Sequence, residues 1–342
     1  MKGKNKWKWA CCLFSLCLCV TGCSNREKKQ EQGTVDEIRV GVLLYNQDDL
    51  FINVMTQMLD EEFREQEKKE DCKITVNFSD AKGSQTVQND QIDKFIAQNY
   101  DVLCVNVVDR TDAAAIVDKA RKANIPLVFF NREPVSADME RWDQTYYVGV
   151  ESEDGGRLQG EIFLQQYKKN KKSIDRSGDG IIQYVILEGE PGHQDTTIRT
   201  ESCIKRIKED GVKLERLATT SANWRRTQGK EKTEAWLKEF GSKIELLISN
   251  NDEMALGALD ALEDMGIPDG QIKVIGLDGV DEARKAVRDG KMLGTVLNDA
   301  EGQVQSIIKL AVALGKGEKP KDIPNLEENR IVRIPHRMIT QY

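Results

Sequence analysis

Histidine is nearly missing from this 342-residue chain, which holds only His193 and His336. A histidine-based metal centre or catalytic triad therefore has little material, and no G-x-S-x-G, H-E-x-x-H or glycine-rich dinucleotide turn occurs either. Basic excess is lacking too. The net charge is −7, and the four lysines among the first eight residues make the remainder four units more negative, which disfavours a nucleic-acid-binding surface. The apolar run 10–20 falls short of the roughly 20 residues a membrane-spanning helix needs. The eight cysteines give no disulfide framework, because five of them lie in the first 23 residues. Cys72, Cys104 and Cys203 remain, odd in number and without C-x-x-C spacing, so they are expected as buried thiols.

What is present begins with a leader. Lys2, Lys4, Lys6 and Lys8 precede the apolar run, which ends in Val20-Thr21-Gly22-Cys23. That ending resembles a bacterial lipobox and implies a signal peptide over 1–22, cleavage before Cys23 and lipid on its sulfur. Residues 23–36, polar and without periodicity, read as a flexible tether. The expectation is a domain lipid-anchored at the outer face of the cell membrane, with no other membrane contact. About 300 residues then remain, enough for two α/β domains.

Apolar runs of strand length at 38–44, 74–78, 102–107, 126–130, 146–150, 182–187, 212–218, 246–249, 274–277, 294–297 and 331–334 alternate with stretches of helical period at 88–98, 113–123, 154–167, 197–208, 227–240 and 254–265. This alternation predicts parallel sheets wound by helices, and so many strands suit two sheets better than one. The charged, Gly-containing stretch 149–156 is the expected switch between halves.

Polar and aromatic side chains gather at the strand ends, where wound sheets open their ligand crevice. Tyr45, Asp49 and Phe51 follow the first strand and Asn131 the fourth. His193, Asp195 and Arg199 follow the sixth, Trp224 precedes a helix, and Asn251, Asp278 and Asn298 follow later strands. Singly, each is as ordinary as a helix cap or turn residue. Together they suit a neutral polyol: Asp accepts from hydroxyls, Arg donates, Asn does both, and flat rings cover C–H faces. An amino acid would call for a carboxylate clamp, and a phosphate for a Gly-rich helix start.

Asp175, Ser177, Asp179, Gly180, Ile181 and Gln183 repeat the first three-quarters of an EF-hand loop, but Ile186 stands where the closing Glu belongs. Either this is an Asp/Gly turn, or a distant carboxylate completes a calcium shell.

The segments VGVLLYNQDDLF, QNDQIDKFIAQ, VNVVDRTDAAAIVDKARKANIPLVFFNREP, YYVGVESEDGG, GEPGHQDTTIR, ISNNDEMALGAL and GTVLNDA carry a resemblance that runs from residue 38 to about 335. The chain resembles the periplasmic glucose/galactose-binding proteins of bacterial ABC importers and chemotaxis, type I members of the substrate-binding superfamily. The resemblance implies two doubly wound α/β lobes, 37–148 with 299–333 and 149–298 with 334–342, joined by three crossover segments. It implies sugar in the cleft between them, hinge closure on binding, and an ABC permease as partner, with a chemoreceptor or sensor kinase as a second possible one and the protein itself monomeric. The family's sugar contacts fall on the eleven residues named above, with Asp49 directed at the 4-hydroxyl that separates glucose from galactose and Phe51 and Trp224 against the ring faces. Its calcium ligands fall on Asp175, Ser177, Asp179, Ile181, Gln183 and Glu245, with the shorter Ser177 where the family has Asn. A carbohydrate hydrolase using Asp49, Asp195 or Asp278 is the competing expectation. The neutral amides and the two rings suit retention of an intact sugar instead.

Overall fold

The computed structural model describes residues 37–70 and 72–341, so the leader, Cys23 and the tether lie outside the described residues. Twelve strands are found there: β1 (Glu37–Leu44), β2 (Lys73–Asp80), β3 (Val102–Val105), β4 (Leu127–Phe130), β5 (Thr145–Gly149), β6 (Ile181–Glu188), β7 (Lys213–Ser221), β8 (Leu246–Ser249), β9 (Lys273–Ile275), β10 (Gly294–Leu297), β11 (Ile331–Arg333) and β12 (Arg337–Thr340). Between them run α1 (Leu50–Lys69), α2 (Gln85–Ala97), α3 (Ala113–Ala123), α4 (Ser136–Met139), α5 (Ser152–Lys169), α6 (Gln194–Glu209), α7 (Arg226–Phe240), α8 (Asp252–Asp264), α9 (Asp281–Arg288) and α10 (Ala300–Gly315).

The strands form two six-stranded sheets, ordered β2-β1-β3-β4-β5-β11 and β7-β6-β8-β9-β10-β12. All pairings are parallel except β10 with β12, an antiparallel edge that the apolar pattern did not announce. Each sheet reverses its winding beside its first strand, between β1 and β3 and between β6 and β8, and such switch points open a crevice at the carboxyl ends of the strands.

Period-two burial explains why these strands are apolar throughout. In β1, Ile38, Val40, Val42 and Leu44 face a core shared with α1 and α10, while Leu43 faces the opposite core with Phe95 and Ile116. In β3, Val102 and Cys104 join the first core and Leu103 and Val105 the second. Covered on both faces, such a strand has no solvent side to keep polar. The second sheet repeats the plan, with Val185 and Leu187 packed beneath α8 and Tyr184 and Ile186 beneath α5 and α6. Cys104 and Cys203 are buried, and burial pushes both thiols up to about 12.

The chain passes between sheets three times, from β5 to α5, from β10 to α10 and from β11 to β12. Two helix starts show how local sequence fixes the crevice wall. Asp49 caps α1 by accepting from the Ile52 N–H, and Asn251 caps α8 by accepting from the Met254 N–H. No helix among the described residues is long and apolar enough to cross a membrane.

Candidate functional site

The two crevices face each other, and all eleven strand-end residues line one narrow cavity of about 30 Å³ between the lobes. From the first lobe, Tyr45 leaves β1 and donates its hydroxyl to Asp49 Oδ2 at 2.6 Å, while Asp49 Oδ1 accepts from the Ile52 N–H at 3.1 Å. Asn131 follows β4 in a left-handed conformation (φ 61°), with its Oδ1 accepting from Asn106 Nδ2 at 3.1 Å. Phe51 enters from the first turn of α1.

The second lobe supplies a buried charged pair. Asp195 accepts from Ser152 Oγ at 2.7 Å and from Arg199 Nη2 at 2.9 Å. Burial alone would raise its pKa, but the Arg199 guanidinium and the other donors around it hold it below the usual carboxylate range. Arg199 spends Nη1 on the Asn250 carbonyl at 3.0 Å and keeps a buried Nε with no protein partner. Gly156 makes this geometry possible, because a Cβ there would fall 2.3 Å from the Arg199 carbonyl oxygen and would hold α5, with Ser152, away from α6.

His193 caps α6, its Nδ1 accepting from the Asp195 N–H at 3.1 Å. Burial lowers its pKa to about 3, so the imidazole is neutral and carries its proton on Nε2 as a donor. Trp224 sits at φ 64° with its carbonyl held by Asn251 Nδ2 at 3.3 Å and its ring against Gly189. Asp278, pushed well above the ordinary carboxylate range by burial, accepts a 3.3 Å bond from Asn298 Nδ2, and Asn298 Oδ1 accepts from Gln303 Nε2 at 2.7 Å.

Residues 40–319 match the periplasmic binding protein domain model. The D-galactose/methyl-galactoside binding periplasmic protein of Haemophilus influenzae is 36% identical over 87% of this chain and 88% of its own length. The ribose import binding protein of Bacillus subtilis is 26% identical over 84% of this chain and 85% of its own. Among solved structures, an ABC transporter solute binding protein from Bacillus halodurans with bound myo-inositol is 31% identical, covers 90% of this chain and 96% of that one, and superposes with a TM-score of 0.74. The chain belongs to the periplasmic binding protein family.

Within this family fold, several supporting residues carried no sequence signal. Ser152, Asn250, Gln303 and Asn106 each orient a cavity side chain or its loop. Asp252 accepts from the Gly279 and Val280 N–H groups and from Thr295 Oγ1, which shapes the turn after Asp278, and burial pushes its carboxyl up to about 6. Each is a common polar residue beside a strand end. Only its distant partner distinguishes it.

The 175–183 loop lies at the opposite end of β6, with Glu245 brought against it from the start of β8. Asp175 accepts from the Gly178 and Gly180 N–H groups, and Asp179 accepts from the Ile181 N–H and from Gln183 Nε2. Glu245, 1% exposed, accepts from the backbone N–H groups of Arg176 at 2.6 Å, Ser177 at 3.0 Å and Gln183 at 3.3 Å. The donor set is all oxygen, as calcium requires. Its carboxylates are turned toward N–H groups, and no three acidic, His or Cys side chains among the described residues stand together as a metal cluster. An ion here would have to draw Glu245 away from those amides.

Proposed function

We propose that this protein is an extracytoplasmic, lipid-anchored substrate-binding protein that captures D-galactose or D-glucose between its lobes and delivers it, chemically unchanged, to the membrane subunits of an ABC importer. The observation that carries the reading is the state of the cavity's polar groups. Arg199 Nε is a buried donor without an acceptor, and Asp278 is a desolvated carboxyl short of donors. A hydroxyl both accepts and donates, so a polyol satisfies both groups, whereas an anion would meet Asp49, Asp195 and Asp278 with only Arg199 to offset them. The Asp195–Arg199 pair is already neutralised within the protein, so an uncharged ligand costs it nothing. Trp224 and Phe51 line the same cavity and suit the C–H faces of a pyranose.

The relatives named above are described as taking galactose, ribose or inositol, all polyols, which supports the class of ligand. The hexose choice rests on Asp49, whose two oxygens can accept from either epimer of a 4-hydroxyl. Binding proceeds by population shift: sugar contacts both lobes only when they close, and that differential contact sets the closed fraction.

Calorimetric titration with galactose, glucose, ribose, allose and myo-inositol tests the reading. One of the two hexoses is expected to bind most tightly, at one per chain, and to be recovered intact after long incubation. Tighter binding of ribose or inositol overturns the hexose choice, and turnover overturns the binding role. For the anchor, labelled fatty acid is expected to enter the wild type but not Cys23→Ser.

A further inference from the structure

On the cleft side of the lobes stands an ion pair between two residues outside the eleven candidate sugar contacts. Arg132, next to Asn131 after β4, donates through Nη2 to Glu190 Oε2 at 2.6 Å, and Glu190 belongs to the loop between β6 and α6 of the other lobe. The rest of the guanidinium is fixed on its own lobe. Nη1 donates to the Val108 carbonyl at 2.7 Å, and the group lies 3.6 Å from the centre of the Tyr45 ring, whose hydroxyl holds Asp49. Arg132 is 6% exposed and its Nε has no partner, while the Glu190 side chain is 43% exposed. Both residues line an outer cleft of about 520 Å³ and neither lines the inner cavity, so the pair stands at the mouth, with His193 shared between the two spaces.

We infer that Arg132 and Glu190 form a clasp that favours the closed form and positions Tyr45, and through it Asp49, for the ligand. The inference rests on the sugar-binding role proposed above. Arg132 keeps its contacts to Val108 and Tyr45 in any arrangement of the lobes, because all three belong to the first lobe. Glu190 is the one partner that hinge opening carries away. The clasp is therefore made on closure and broken on opening, and its contribution appears in ligand release more than in capture. It also gives the protein an unusual signature. An uncharged sugar makes no ion pair of its own, so its affinity should ignore ionic strength unless closure itself joins two charges, one of them half in solvent and open to screening.

The test measures sugar affinity and release rate for the full-length protein between about 0.05 and 0.5 M NaCl, in wild type, Glu190→Gln, Arg132→Ala and Arg132→Ala/Glu190→Gln. Wild-type affinity is expected to weaken severalfold with salt and Glu190→Gln to lose that dependence, with a release rate about three- to tenfold faster at low salt. Arg132→Ala is expected to weaken binding more than tenfold, and the double variant no further, because Glu190 acts through Arg132. A Glu190→Gln protein with wild-type release and wild-type salt dependence overturns the clasp, as does strict additivity. X-ray scattering separates this from failure of the sugar role: if no sugar binds, a more open ligand-free Glu190→Gln still supports the clasp, and an unchanged scattering curve overturns it.

Discussion

Gly189→Ala isolates what the placement of the Trp224 ring is worth. Gly189 follows β6, and its φ lies outside the left-handed region, so alanine is acceptable to the backbone there. Its N–H, which donates to Asn250 Oδ1 at 3.1 Å, is retained. The change acts through the new methyl alone. A Cβ at 189 would lie 2.0, 2.1 and 2.4 Å from Cζ2, Cη2 and Cε2 of Trp224. Carbon atoms settle at about 3.5 Å, so the ring must retreat by about 1.5 Å. Its backbone cannot follow easily, being held at φ 64° with the carbonyl bonded to Asn251, so the ring turns toward the cavity. The lost stacking is worth about 0.5–1.5 kcal/mol beyond area, and a displaced ring also takes up ligand volume. Together these predict a loss of about 1.5–3 kcal/mol, ten- to hundredfold or somewhat more in Kd. Overpacking strain of about 1–3 kcal/mol lowers Tm by only a few degrees to about ten in a domain of this size. Calorimetry with the preferred hexose and circular dichroism melts read both quantities, with Trp224→Ala as reference. A Gly189→Ala protein that binds within twofold of wild type would refute the role given to the ring.

Two further outcomes follow from the electrostatics and the loop. Burial holds the Asp278 carboxyl above its unfolded value, so it favours folding in the protonated form and that contribution is lost as pH rises. A hydroxyl donating to it favours the ionised form instead, so ligand binding should release protons above the ordinary carboxylate range and affinity should rise with pH through that window. His193 at about 3 and His336 at about 4 are already neutral there and cannot be the source. Titrations in two buffers of different ionisation enthalpy read the release, which Asp278→Asn should abolish, and its absence from the wild type refutes the assignment. For the 175–183 loop, calcium at about 100 times its Kd should add about 2.7 kcal/mol and raise Tm by roughly 5 to 10 °C over chelator. Glu245→Gln should remove that difference. Identical wild-type melts would mean that the amide bonds to Glu245 brace the loop without an ion.

Much of the fold was legible because a doubly covered strand and an amphipathic helix leave local periodic marks. The run 113–123 coincides with α3, and the run 246–249 with β8. The cavity residues could be named for a related reason: caps and strand-end turns are local features, and Asp49 and Asn251 serve as caps whatever else they touch. The sequence alone thus determined two wound sheets, polar strand ends suited to a polyol, and an oxygen-rich loop short of one carboxylate.

Tertiary structure decided what local pattern cannot carry. β12, with two of its four residues exposed, pairs antiparallel at an edge where one face is enough to hold it, so no apolar run announces it. Glu245 meets amides 62 to 69 positions away, and Arg132 meets Glu190 across 58 positions and the cleft. Periodicity records which face of an element is buried. It does not record which element comes to cover it, because that depends on chain crossings fixed only when both sheets have packed.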